Sequence, residues 1–348
     1  MNIYFFLQYL LIIGNTFGNT FGFVINASNK INKNSFKINN IDKKSIIYDD
    51  IKKMSILSKL IYQYNFLNEI NDKKKNYKIN LDVDLPINVL KNNNMCFNLM
   101  QTFTHLDNKH FFTKNDYYYN LFNKYFKNTE IYGYFCNKNR LHSVILLNHD
   151  SKELTIIFRG SQYLEEWIQN LKIYETEILF NKKYKIHNGI YNMYKNNDID
   201  ENITYILKNL FNYYPNYRKI LTGHSKGGIC SILLAFELLT KLNIQYNYDI
   251  YTFGSPPIFN EELSKILHNN NHLKIYNIIN ENDIIGRLPF INKYQIGNEI
   301  EINNNDITIK NNDSPYKVEN KIGFNNIFLS ITNHNLNNYI DKIFTYNY

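Results

Sequence analysis

The sequence predicts an α/β fold, with a mostly parallel central sheet and helices on both faces. Short apolar runs typical of strands begin near residue 132, and helical and strand patterns alternate from residue 201 onward. Such alternation is typical of parallel sheets, because each parallel strand needs a crossover connection. Of the 348 residues, 44% are hydrophobic, which is enough for a sizeable core.

The first 27 residues are predicted to be a signal peptide, which implies that the protein is secreted. Residues 4–13 form an apolar run of h-region length that is too short to span a bilayer. A buried N-terminal strand or helix is the alternative interpretation of this run. Three cysteines do not make a disulfide scaffold, and Cys230, in an apolar helical pattern, is expected to be a buried thiol.

The rest of the chain divides into an N-terminal extension, residues 28–130, and a domain of residues 131–348. The extension is expected to pack on the domain, with a loosely held arm over 28–53 and helices over 54–67, 95–103 and 116–126. The domain has predicted strands at 132–135, 142–147, 154–160, 219–222, 249–253 and 273–279, and predicted helices at 201–213, 227–242 and 260–268.

The net charge of +8 comes from lysines spread along the whole chain. A nucleic-acid-binding protein usually concentrates its basic residues on one face or helix. The charge pattern therefore gives no indication of a nucleic-acid partner, and it is compatible with weak attraction to anionic membrane surfaces.

A glycine-rich corner surrounds Ser225 in the stretch ILTGHSKGGICSILLA, residues 220–235. A strand, then G-x-S-x-G, then a helix is typical of a nucleophile elbow, in which the serine hydroxyl projects above the sheet edge. A serine needs a base and an orienting carboxylate to become nucleophilic. The alternative is a glycine-rich turn with a serine that has no chemical role.

In the chain order expected after such an elbow, the carboxylate and the histidine both follow the serine. Asp283 lies just beyond a predicted strand, where open α/β sheets place active-site residues, and Glu281 in the same loop is the second candidate. His268 and His272 precede that strand, which leaves His334 as the candidate base. A histidine on a solvated loop is the alternative for His334.

Six segments together resemble the class 3 (fungal-type) lipases, which have the α/β-hydrolase fold. The similarity runs from about residue 132 to 339, in the segments IIFRGS, IHNGIYNMY, YPNYRKILTGHSKGG, YTFGSPPIFN, NENDIIGRLP and HNLNNYI. The resemblance implies a triad of Ser225, Asp283 and His334. It also implies an oxyanion hole formed by Ser161 and the backbone N–H of Lys226, where the family commonly has an apolar residue.

The resemblance further implies a lid over residues 162–171 that carries Trp167, the chain's one tryptophan. An ordinary amphipathic helix packed on the core would have the same apolar stripe. The expected activity is hydrolysis of lipid carboxylic esters at a lipid–water interface or membrane surface, with no metal or organic cofactor. A phospholipase A1 or another polar-lipid acyl hydrolase is the first alternative, and a catalytically idle lipid-binding protein is the second.

Overall fold

Eight strands form one central sheet in the computed structural model of the protein. Their order is β1-β2-β3-β6-β7-β8-β10-β11. The neighbours from β3 through β10 pair in parallel, whereas β1, β2 and β11 pair antiparallel at the two edges. The strands are β1 (Thr129–Cys136), β2 (His142–Asn148), β3 (Glu153–Phe158), β6 (Arg218–His224), β7 (Tyr248–Phe253), β8 (Leu273–Asn280), β10 (Asn298–Ile302) and β11 (Ile307–Lys310).

The structure describes residues 41–63, 124–126, 129–136, 141–161, 175–178, 181–195, 199–287, 293–303, 306–317 and 332–345. Two small antiparallel sheets accompany the central one. They pair β4 (Glu175–Ile178) with β5 (Asn181–His187), and β9 (Tyr294–Gln295) with β12 (Tyr316–Lys317). The predicted leader, the predicted helix at 95–103 and the predicted lid lie outside the described residues.

Six α-helices flank the sheets in the described part of the chain. They are α1 (Ile41–Gln63), α2 (Asn188–Lys195), α3 (Ile199–Tyr213), α4 (Lys226–Thr240), α5 (Glu261–His268) and α6 (Leu336–Thr345). The mostly parallel sheet and its helices confirm the predicted fold class. None of these helices combines the length and the apolar composition that crossing a membrane would need.

The two faces of the sheet pack into separate hydrophobic cores. Neighbouring residues of a strand point to opposite faces, so Ile145 belongs to the core that contains α2, α3 and α4, whereas Val144 and Leu146 belong to the core that contains α1 and α6. The helix that follows Ser225 is buried along its whole length except at its last residue, and Cys230 is a fully buried free thiol as expected.

The prediction of a loose arm over residues 28–53 was wrong for its C-terminal part. The helix begins at Ile41, not near residue 54, and it ends at Gln63. Tyr48, Asp50 and Ile51 are all buried. The buried Asp50 carboxylate is accommodated because it accepts a hydrogen bond from Arg218 of β6 at 2.7 Å. The domain boundaries at 27 and 130 stay predictions.

Candidate active site

Ser225 occupies the corner between β6, which ends at His224, and α4, which begins at Lys226. Its backbone has φ 56° and ψ −127°, a conformation that non-glycine residues rarely adopt. The Ser225 N–H donates to the carbonyl of Phe253 at 2.8 Å, and the Ser225 carbonyl accepts from Ser255 Oγ at 2.8 Å. Neighbouring elements therefore enforce the strained corner that the G-x-S-x-G pattern predicts.

Gly227 lets the start of α4 touch strand β3. A Cβ atom at this position would lie 2.2 Å from the carbonyl oxygen of Phe158. No side chain fits there without a backbone shift, so the glycine sets how closely the helix N-terminus approaches the strand that leads to Ser161.

Asp283 and His334 form a hydrogen-bonded pair at the carboxyl end of the sheet. The Asp283 carboxylate is fully buried, and its Oδ2 lies 2.7 Å from Nδ1 of His334. The same oxygen accepts from the Tyr339 hydroxyl at 2.5 Å, and Oδ1 accepts from the Ile285 N–H at 2.8 Å. Glu281, the second candidate for the acid, is exposed.

The hydrogen bonds of Asp283 fix the tautomer of His334. A carboxylate accepts, so Nδ1 of His334 carries a proton, and in the neutral imidazole Nε2 is then the atom with the lone pair. Nε2 of His334 and Oγ of Ser225 are both buried, and neither has a hydrogen-bond partner. A histidine with a free Nε2 lone pair, oriented by a carboxylate through Nδ1, is what a general base requires.

A second histidine, His224, supports His334 from the strand side. The two rings lie 4.5 Å apart between centroids, and Nε2 of His224 is 2.8 Å from the backbone carbonyl of His334. A carbonyl only accepts, so Nε2–H of His224 donates, and its Nδ1 accepts from the Tyr62 hydroxyl at 2.9 Å. Burial lowers the pKa of His224 well below its ordinary value, which keeps this ring neutral.

Sequence reasoning missed the contribution of Tyr62. The tyrosine lies in α1, 162 positions before its partner, and no local pattern indicates such a contact. A hydrogen bond from the backbone of Gly160 also reaches the Tyr62 side chain. The N-terminal extension therefore places a polar group in the immediate surroundings of the candidate site.

The two residues expected to form an oxyanion hole come from different parts of the chain near the serine. Lys226 is the first residue of α4, and the first N–H groups of a helix have no acceptor within the helix. Ser161 follows Gly160, where an added Cβ would lie 3.3 Å from the Cβ of Ser225. Trp167 of the expected lid lies outside the described residues.

Three basic side chains are buried beside the elbow: His142, Arg159 and Lys226. Burial lowers the pKa of His142 to about 3, with further lowering by Arg159 and Lys226, so this ring is neutral. Burial also lowers the pKa of Lys226 to about 8, so its amine is still mainly protonated at neutral pH. Within the described ranges, no group of three His, Cys, Asp or Glu side chains is arranged to hold a metal ion.

The sheet order and the strand–serine–helix corner define an α/β-hydrolase fold. Residues 155–293 match the family model for lipase (class 3). That matched segment contains Ser161, Ser225, Lys226 and Asp283, whereas Tyr62 and His334 lie outside it.

Curated relatives include a lipase and a phospholipase A1. A lipase of Rhizomucor miehei is 25% identical over 150 residues, which cover 42% of this chain and 40% of the relative. Phospholipase A1-IIbeta of Arabidopsis thaliana is 27% identical over 176 residues, which cover 43% of this chain and 42% of the relative. The chain thus spans about two fifths of the length of these relatives.

A solved structure extends the similarity of fold beyond that segment. Lipase II from Rhizopus niveus superposes with a TM-score of 0.59 at 16% identity, over 83% of this chain and 93% of that one. At this identity the match concerns the fold alone.

Proposed function

We propose that this protein hydrolyses carboxylic esters of lipids through an acyl-enzyme formed on Ser225. The observation that carries the proposal is the hydrogen-bonded pair of Asp283 and His334. Nε2 of His334 and the hydroxyl of Ser225 are both buried at the carboxyl end of the sheet, and both lack a hydrogen-bond partner among the described residues. The class 3 lipase match over residues 155–293 supports lipid esters as the substrate class.

Each residue has one role in the proposed reaction. Nε2 of His334 takes the proton of the Ser225 hydroxyl as Oγ attacks the ester carbonyl. The negative charge that develops on the carbonyl oxygen is stabilised by the backbone N–H groups of Ser161 and Lys226. His334 then gives the proton to the leaving alcohol. Asp283 stabilises the imidazolium throughout, and water cleaves the acyl-enzyme by the same route.

Substitution of the nucleophile tests this proposal. Ser225→Ala should lower kcat/KM on short-chain p-nitrophenyl esters by at least about 10³-fold and abolish labelling by a fluorophosphonate probe. Ser231→Ala is the matched control, because Ser231 is a buried serine of the same helix whose hydroxyl only donates to the Gly227 carbonyl at 3.1 Å. Retained turnover in a folded Ser225→Ala protein would refute the assignment.

The base is tested in the same way. His334→Ala should lose activity to a similar extent, whereas His272→Ala should retain it. His272 directly precedes β8, away from the carboxyl end of the sheet, and its side chain bonds to Asn247. Retained activity in a folded His334→Ala protein would mean that His334 is not the base.

A lid over residues 162–171 belongs to the same proposal. Closure of an apolar stripe over the site in water and its opening at an interface would make activity rise once the substrate exceeds its solubility limit. Trp167→Ala should weaken that rise. Ordinary saturation kinetics across the solubility limit in the wild type would contradict a lid.

A further inference from the structure

The side chain of Lys226 is buried next to the proposed nucleophile. Only 5% of this residue is exposed, although it stands at the first position of α4, directly after Ser225. Lysine is almost never buried to this degree unless it is paired with an acid or a hydrogen-bond acceptor. Its burial therefore needs a physical explanation.

The Lys226 ammonium has no acceptor in the part of the chain that the structure describes. The groups that interact with it electrostatically are Cys230, Arg159 and His142. Burial raises the pKa of Cys230 to about 12, so its thiol is uncharged at neutral pH and supplies no counter-charge. His142 is neutral, and Arg159 repels the ammonium.

This arrangement is costly for the protein alone. Removing an ammonium from water costs several kcal/mol unless an anion compensates for it, and an apolar side chain of similar size is often more stable in such a place. The position of Lys226 next to the nucleophile suggests that the compensating anion arrives with the substrate. The N-terminus of α4 adds a partial positive charge at the same place.

We propose that the Lys226 ammonium binds an acidic group of the lipid substrate, most simply the phosphodiester of a glycerophospholipid. The proposal rests on the proposed ester hydrolysis at Ser225 and names its substrate class. In a glycerophospholipid the phosphate is attached to the same glycerol unit as the esters, so a phosphate near Lys226 and an ester near Ser225 can belong to one molecule. Charge-assisted hydrogen bonds from an ammonium to phosphate are among the stronger contacts in proteins.

The test compares two lipids that differ in charge and share their acyl chains. The full chain is assayed on phosphatidylglycerol and on the diacylglycerol with the same acyl chains, which lacks the phosphate, in mixed micelles with a neutral detergent, and the ratio of the two kcat/KM values is the readout. The wild type should prefer phosphatidylglycerol. Lys226→Met should lower that ratio about tenfold or more, and Lys226→Arg should keep most of it.

Lys274→Met is the matched control for net charge. Lys274 is exposed at the start of β8, at the opposite end of that strand from Asp283, so its loss changes the overall charge equally but not the site. Its ratio should equal that of the wild type. An equal fall in both Lys→Met variants would mean that bulk attraction to the anionic surface explains the preference, and would overturn the proposal.

Two further measurements separate the possible failures. Ser225-dependent cleavage of a soluble neutral ester establishes the proposed function independently of Lys226, so an unchanged lipid ratio in Lys226→Met then refutes only the inference about Lys226. Inorganic phosphate is tested as a competitor of the same soluble ester. Inhibition that depends on Lys226, without any preference for phosphatidylglycerol, would assign the site to a free anion and refute the substrate claim.

Discussion

The hydroxyl of Tyr62 lies 2.9 Å from Nδ1 of His224, and Nε2 of His224 lies 2.8 Å from the carbonyl of His334. A helix of the N-terminal extension thereby holds the backbone of the candidate base through one intervening ring. In the proposed reaction Tyr62 acts only through His224 and His334, which makes it a positioning residue.

Removal of that hydroxyl should weaken the support of His334. Tyr62→Phe leaves Nδ1 of His224 without its donor, and the loss of one such bond costs about 1 kcal/mol. We expect kcat on a soluble ester to fall about fivefold with little change in KM. Tyr213→Phe, at a tyrosine that is 59% exposed, should change neither parameter. A fall in thermal stability with unchanged kcat would assign Tyr62 a purely structural role.

The attachment of α1 depends on an ion pair between Asp50 and Arg218. Asp50 is 4% exposed, and its Oδ2 accepts from Arg218 at 2.7 Å and from the Tyr251 hydroxyl at 2.8 Å. Asp50→Ala leaves the arginine partly uncompensated and should lower the free energy of unfolding by about 3 kcal/mol. Asp49→Ala removes the same charge from an exposed neighbour and should have an effect of at most about 0.5 kcal/mol. Urea denaturation of the three proteins measures both changes.

Burial of Lys226 makes a prediction about stability and pH. The pKa of Lys226 is lowered from 10.5 to about 8 in the folded protein, so the unfolded chain binds more protons between these values. The buried charge lowers the free energy of unfolding, and this loss disappears as the pH rises from about 8 to 10.5. The free energy of unfolding of Lys226→Met should therefore be about 3 kcal/mol higher than that of the wild type below pH 8. The difference should shrink towards pH 10.5. A less stable Lys226→Met protein at pH 7 would contradict the uncompensated burial.

The same titration should control the preference for anionic lipids. Lys226 loses its charge above pH about 8, while Cys230 and His142 stay neutral and Arg159 stays charged. The ratio of kcat/KM for phosphatidylglycerol to that for the matching diacylglycerol should fall across this range, because the ammonium is lost while titration of the catalytic groups cancels in the ratio. Lys226→Arg should show a flat ratio, since arginine stays protonated. A wild-type ratio that is equally flat from pH 7 to 10 would argue against the ammonium as the recognition group.

Much of the central sheet could be predicted from the sequence because its strands are short apolar runs bounded by polar residues. The run at 142–147 became β2 (His142–Asn148), and the run at 219–222 became β6 (Arg218–His224). The corner at Ser225 was predictable because glycine spacing and a strand–helix change occur within a few residues. Asp283 and His334 followed from chain order, which a topology of this kind constrains.

The remaining features depend on contacts between distant parts of the chain. The segment before residue 54 has a polar, lysine-rich composition, and its helix is stabilised by a partner in β6, 168 positions away from Asp50. The role of Tyr62 has the same origin. Burial of Lys226 was also beyond the sequence, because a lysine after the nucleophile is equally compatible with a side chain that points into solvent.

The packing of α1 against the rest of the fold sets a practical limit on how far the chain can be shortened. Tyr48, Met54 and Leu57 of α1 share one core with Tyr339 and Ile343 of α6, outside both ends of the segment 155–293 that matches the family. A recombinant fragment cut at those ends would expose this core to water and would lack His334. Proteolysis within α1 should therefore abolish the proposed activity even though the cut lies more than 160 positions before Ser225.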